Sequence, residues 1–153
     1  MDLSSISPVV LIASLMIAAT PVLLAAIGEL VVEKAGVLNL GVEGMMITGA
    51  IFGFAATVET GSPWIGLLAA MAGGAMLSLI FAVLTQYLLS NQVATGLALT
   101  LFGLGFSALV GQSYSGIKPP PFPKLDVPFL TDIPVLGPIL LNHDYVVYIS
   151  LLL

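Results

Sequence analysis

Four long apolar stretches, separated by short polar segments, limit what this chain can fold into. They lie at about 8–27, 42–58, 65–89 and 93–110, and a fifth begins near Tyr145. A helix needs about 20 apolar residues to cross a bilayer, and backbone in lipid must satisfy its hydrogen bonds within helices or closed barrels. The sequence therefore predicts an all-α fold, a polytopic transmembrane helical bundle of about four complete spans plus a truncated fifth.

The composition agrees with a membrane-embedded chain. Hydrophobic residues make up 59% of the sequence and charged residues 7%, whereas a soluble domain carries roughly a quarter charged residues. Only 3 Lys and Arg stand against 8 Asp and Glu, so no basic patch favours nucleic acid. Cysteine is absent and there is one histidine. The sequence thus predicts no disulfide framework and no metal site.

Enzyme chemistry is not predicted either. No serine, histidine and acid set can be assembled, and no paired carboxylates lie in a plausible intramembrane geometry. The Gly-x-x-x-x-Gly-Lys phosphate loop is missing from the sequence, so ATP hydrolysis is not expected on this chain. We predict no catalytic residues and no cofactor of its own.

The two ends of the sequence carry their own expectations. Residues 1–7 contain no basic residue and include Asp2, so the first apolar stretch is predicted to be retained rather than cleaved as a signal peptide. The stretch from Tyr145 has under half the length of a span. We therefore expect the N-terminal part of a longer protein.

The glycine-rich segment, residues 36–44, reads GVLNLGVEG and breaks the apolar pattern. In one interpretation it is structural: residues 28–35 form an amphipathic elbow and Gly36 ends it. Asn39 then caps the next helix, whose first turn favours the charge of Glu43. In the other interpretation, the same polar groups line a path through the membrane. The translocation-path or helix-break candidates are Asn39, Gly41, Glu43 and Gly44.

Further candidates lie in spans two to four. Asn91, Gln92 and Thr95 either contact a polar solute or form a helix turn and a packing hydroxyl. Small residues predict close helix packing, and we expect partner helices to cover them, which favours a second subunit. These packing candidates are Gly49, Gly53, Gly73 and Gly74.

The segment at about 111–144 differs from the rest of the chain. It holds seven of the ten prolines, a density that forbids continuous helix. It also holds five of the eleven charged residues: Lys118, Lys124, Asp126, Asp132 and Asp144. We predict an aqueous loop that folds back on the membrane domain.

Three sequence blocks resemble one family. GE at 28–29 with EKAGVLNLGVEGMM at 33–46, and NQVATGLAL at 91–99, resemble two signatures of ABC-importer permeases for nucleosides and simple sugars. FLTDIPVLGPI at 129–139 resembles the extracytoplasmic loop of the nucleoside branch in particular. These permeases belong to the superfamily of ribose and branched-chain amino-acid permeases. The resemblance runs from about Thr20 to Leu153, and the three blocks in order are more specific than any one of them.

The resemblance implies a permease domain over residues 1–153, the N-terminal part of a multi-pass protein of the prokaryotic plasma (inner) membrane. It implies three protein partners: an ABC ATPase subunit that binds ATP, an extracytoplasmic solute-binding protein, and a second permease subunit in a homo- or heterodimer. Membrane lipid surrounds the spans. The loop at 111–144 is expected outside, and the glycine-rich segment inside.

Two alternatives stay open. Branched-chain amino acids are the other cargo within the superfamily. A secondary transporter, coupled to protons through Glu43, is the rival from another class.

Overall fold

The structure is a computed structural model that describes residues 8–123 and 143–152. Within these ranges the chain forms five α-helices and no strand: α1 Pro8–Lys34, α2 Val42–Thr60, α3 Pro63–Ala82, α4 Gln92–Gly111 and α5 Tyr145–Leu152. The first four are long and apolar enough to cross a membrane, counting the short extensions of α3 to Tyr87 and of α4 to Tyr114. The predicted all-α transmembrane architecture is confirmed.

The first helix is longer than predicted. The expected span at 8–27 and the elbow at 28–35 are one continuous helix that ends at Lys34, so the separate elbow is wrong. Charged residues at 29, 33 and 34 do not break a helix, and Lys34 in the last turn complements the helix dipole. Pro21 lies inside α1, and the hydroxyl of the preceding Thr20 donates to the carbonyl of Met16 at 3.0 Å.

Residues 28–121 form one compact unit in which α2 packs against both α3 and α4. Its buried apolar cluster consists of Leu77, Phe81 and Leu99, with Val37 and Met45 packed against it. The α1–α2 connection meets the start of α4 at one end of this unit. At the other end, the hydroxyl of Tyr114 donates to Glu59.

The third helix ends in an irregular turn. Residues Val83–Tyr87 form a π-helical turn, and Leu89 then takes a left-handed conformation with φ of 53°. A leucine in this region is sterically disfavoured. The predicted span at 65–89 therefore stops two residues early, and the chain turns before Ser90.

The second unit contains residues 1–27 and 122–153. In its described part, α5 carries the buried residues Val147 and Ser150, and the Ser150 hydroxyl donates to the Val147 carbonyl at 2.7 Å. Most of the predicted loop at 111–144, namely 124–142, lies outside the described residues. Its position relative to the membrane stays a prediction.

Candidate functional site

The glycine-rich segment begins with a regular helix stop. Gly36 has φ of +81°, and its N–H donates to the Glu33 carbonyl at 2.9 Å while the Val37 N–H donates to the Val32 carbonyl at 3.2 Å. These two bonds are the Schellman pattern, in which a left-handed residue after the helix satisfies the last carbonyls. The prediction that Gly36 ends the first helix is confirmed.

Asn39 occupies a different place from the one predicted. Its side chain is buried, and its Oδ1 accepts the Gly41 N–H at 2.9 Å. The residue at the N-cap of α2 is Gly41, which has no side chain to form a cap hydrogen bond. The prediction that Asn39 caps this helix is wrong, because α2 starts two residues later than an Asn39 cap would need. The side chain instead closes a turn over its own backbone.

The segment is held by side chains from two helices. The Leu38 N–H donates to Gln92 Oε1 of α4 at 2.8 Å. The Asn39 N–H donates to Glu29 Oε1 of α1 at 3.2 Å. The Thr100 hydroxyl, further along α4, donates to the Leu40 carbonyl at 3.1 Å. The contacts of Glu29 and Thr100 do not follow from the sequence, since these residues lie 10 and 60 positions away from their partners.

The second candidate set lies where α4 begins. Asn91 is the N-cap of α4, and its Oδ1 accepts the Ala94 N–H at 3.0 Å. The hydroxyls of Thr95 and Ser90 are 2.9 Å apart. Gln92 is the member of this set that reaches the glycine-rich segment. The structure thus brings the two candidate sets together through Gln92 and Leu38.

Glycines let the backbones of α2 and α4 touch. A methyl group added at Gly44 would lie 2.5 Å from the Leu99 carbonyl oxygen, and one added at Gly103 would lie 2.5 Å from that of Gly44. A methyl group at Gly96 would lie 2.8 Å from the nitrogen of Gly41. Real side chains do not fit at such distances, so these three positions require glycine. Gly96 and Gly103 were not among the predicted candidates.

The predicted packing glycines lie mainly between α2 and α3. A methyl group at Gly49 would be 2.9 Å from the Ala70 carbonyl oxygen, and one at Gly53 would be 2.9 Å from the Ala70 side chain. Gly73 faces the ring of Phe52, and Gly74 has only an ordinary contact at 3.6 Å. Gly49 and Gly53 are therefore covered by α3 of the same chain, so they give no argument for a second subunit.

Glu43 stands apart from these contacts. It lies in the first turn of α2, as predicted, and its side chain is exposed in this chain. A carboxylate at that position is favoured by the helix dipole. The site therefore combines a rigid, hydrogen-bonded segment with one outward carboxylate beside it.

Comparison with known proteins decides the family. Residues 11–141 match the family described as branched-chain amino acid transport system, permease component. The chain belongs to this family. It is similar to the putative glucose ABC transporter permease protein of Haloferax volcanii, with 41% identity over 88% of this chain and 42% of that protein.

Two further relatives carry nucleoside names. The guanosine ABC transporter permease protein of Bacillus subtilis is 37% identical over 99% of this chain and 50% of its own length. The nucleoside ABC transporter permease protein of Lactococcus lactis subsp. cremoris is 29% identical over 85% and 44%. The chain spans about half the length of the curated relatives it matches. No solved structure matches it.

These matches confirm the resemblance seen in the sequence. Permease components are transport subunits and not enzymes, and together with the four apolar helices they identify a multi-pass integral protein of the plasma membrane.

Proposed function

We propose that this chain belongs to the membrane-spanning permease subunit of an ATP-driven ABC importer that translocates nucleosides or simple sugars. The observation that carries the proposal is its similarity to a glucose and a guanosine permease over most of its own length. The cargo class follows from those two names together with the sequence block at 129–139.

Three partners follow from this proposal. An ABC ATPase subunit would bind and hydrolyse ATP, and a solute-binding protein would deliver cargo from outside. A second permease subunit, identical or homologous, would complete the path. The apolar outer surfaces of the four long helices suit lipid and further helices equally.

We assign the translocation-path role to the region where α2 and α4 begin. Its candidates are Asn39, Gly41, Glu43, Gly44, Asn91, Gln92 and Thr95. Polar groups are costly within a membrane unless they have a function or a partner, and this end of the unit concentrates them. Asn39 is committed to its own turn, so Glu43, which is exposed, is the side chain best placed to meet solute.

Reconstitution tests the transport proposal. Proteoliposomes containing the full-length subunit, its ATPase and its binding protein should accumulate labelled guanosine or glucose only with ATP and all subunits present. Uptake of leucine alone would support branched-chain amino acids, the cargo named for the family. Accumulation without ATP that an uncoupler abolishes would instead support a proton-coupled secondary transporter.

Orientation has its own test. We place the N-terminus and the 111–144 loop outside and the glycine-rich segment inside. An impermeant maleimide added outside should label Ser115→Cys and leave Ser90→Cys unlabelled. The reverse pattern would overturn the orientation and leave the transport proposal intact.

A further inference from the structure

We propose that Glu29 and Gln92 are positioning residues of the permease, which hold the glycine-rich segment between the end of α1 and the start of α4. This role rests on the proposed function. It adds Glu29 to the candidate site, and it gives Gln92, already a candidate, the task of fixing the entrance to α2.

The geometry singles out two neighbouring backbone donors. The N–H groups of Leu38 and Asn39 are adjacent in sequence, and each bonds to a side-chain acceptor on a different helix: Gln92 of α4 at 2.8 Å and Glu29 of α1 at 3.2 Å. The Leu38 bond is exposed and the Asn39 bond is part-buried. A backbone N–H left without a partner away from water is costly, so this cost applies to Asn39, whereas water can replace Gln92 at Leu38. Removing either side chain still removes a bond that fixes the segment.

The consequence reaches the close α2–α4 contact. Two residues after Asn39, the backbone of Gly41 lies against Gly96, where a methyl group would be 2.8 Å from the Gly41 nitrogen. The Thr100 hydroxyl holds the intervening Leu40 carbonyl. Because each residue from 38 to 41 is tied to α1, to α4 or to its neighbour, we expect this segment to move together with the last turns of α1 and the first turns of α4.

Glu29 acts as an acceptor through one oxygen. Its Oε1 takes the Asn39 N–H, while its buried Oε2 accepts no hydrogen bond from the groups that the structure describes. A glutamine at this position keeps the carbonyl acceptor, and an alanine removes it. Glu33, one turn later on α1 and exposed, provides a matched control.

Hydrogen exchange of the purified full-length protein tests the positioning directly. In Glu29→Ala and in Gln92→Ala, a peptide covering 36–41 should exchange about three- to tenfold faster, the factor expected for one lost hydrogen bond. Glu29→Gln and Glu33→Ala should exchange like the wild type. Unchanged exchange in Glu29→Ala, or an equal increase in Glu33→Ala, would overturn the proposal.

Transport by the complete importer tests the consequence for function. Glu29→Ala should lower the maximal uptake rate severalfold and leave the affinity of the binding protein for solute unchanged, and Glu29→Gln should restore the rate. Loss of uptake in Glu29→Gln, despite wild-type exchange at 36–41, would overturn the positioning role. If the wild-type importer takes up neither nucleosides nor sugars, the proposed function fails, while the exchange result still stands.

Discussion

The two interfaces of α2 use glycine in different ways. Against α4, a methyl group added at Gly44 or Gly103 would meet backbone atoms at 2.5 Å. Against α3 the contacts are mixed. A methyl group at Gly49 would meet the Ala70 carbonyl oxygen at 2.9 Å, whereas one at Gly73 would meet the side chain of Phe52 at 2.9 Å. Backbone cannot yield without moving a helix, whereas a side chain such as the Phe52 ring can rotate. The same residue type is therefore indispensable on one face and replaceable on parts of the other.

The α2–α4 interface also changes along its length. It is closest at Gly44 and Gly103, and further along the helices it opens into an apolar groove of about 120 Å³. Phe52 and Phe106 line that groove. Their ring centroids are 5.8 Å apart, and those of Phe102 and Phe106 are 5.9 Å apart. The interface thus relies on backbone contact at one end and on side chains towards the other.

The largest effect is expected at the backbone contact. Gly103→Ala should destabilise the protein by about 3 kcal/mol, the upper part of the range for overpacking, since α2 and α4 must separate. Gly105→Ala is the matched control, because a methyl group there meets nothing within 4 Å. Thermal unfolding of both variants in detergent measures the difference.

Equal stability of Gly103→Ala and Gly105→Ala would contradict the proposed difference between the α4 and α3 faces of α2. It would mean that α2 and α4 are free to separate at Gly44 and Gly103. The control also corrects for helix propensity, because alanine is favoured over glycine inside a helix by about 1 kcal/mol in both variants.

The next effect concerns the start of α4. Asn91→Ala removes the side-chain bond to the Ala94 N–H and should cost about 1 kcal/mol, as for other N-caps. Asn91→Ser and Asn91→Asp should recover most of this loss, because both side chains also cap helices. Denaturant or thermal unfolding checks the series. No recovery by serine would point to a role for the amide beyond capping.

An effect of similar size is expected at the α2–α3 interface. Relative to Gly74→Ala, Gly73→Ala should cost about 1 kcal/mol. The Phe52 side chain must leave its rotamer, and its Cβ, 3.0 Å from the added methyl group, must also shift. Gly74→Ala, at the neighbouring position with an ordinary contact at 3.6 Å, is its control. A loss at Gly73 as large as at Gly103 would show that the α3 face is as rigid as the α4 face.

Features set by local sequence could be predicted, whereas features set by contacts between helices could not. Span positions follow from hydropathy, and the stop at Gly36 follows from local backbone chemistry. Asn39 and Asn91 are both asparagines before an apolar run, but only Asn91 is an N-cap, because tertiary contacts decide where α2 begins. Gly96 and Gly103 were missed for a similar reason: which glycine of α4 faces which glycine of α2 depends on long-range packing.

The smallest effect is expected at the far end of the α2–α4 interface. The Tyr114 hydroxyl donates to Glu59 Oε1 at 3.2 Å, and this bond is exposed. Tyr114→Phe removes it but keeps the edge contact of the ring with Phe54. The unfolding temperature should therefore change less than in Gly103→Ala or Gly73→Ala, since exposed polar pairs contribute little. Tyr87→Phe, at a residue 83% exposed, controls for loss of a hydroxyl. If Tyr114→Phe matched Gly103→Ala, then the two helices would be held together at this end, and the comparison of the two faces of α2 would have to be redrawn.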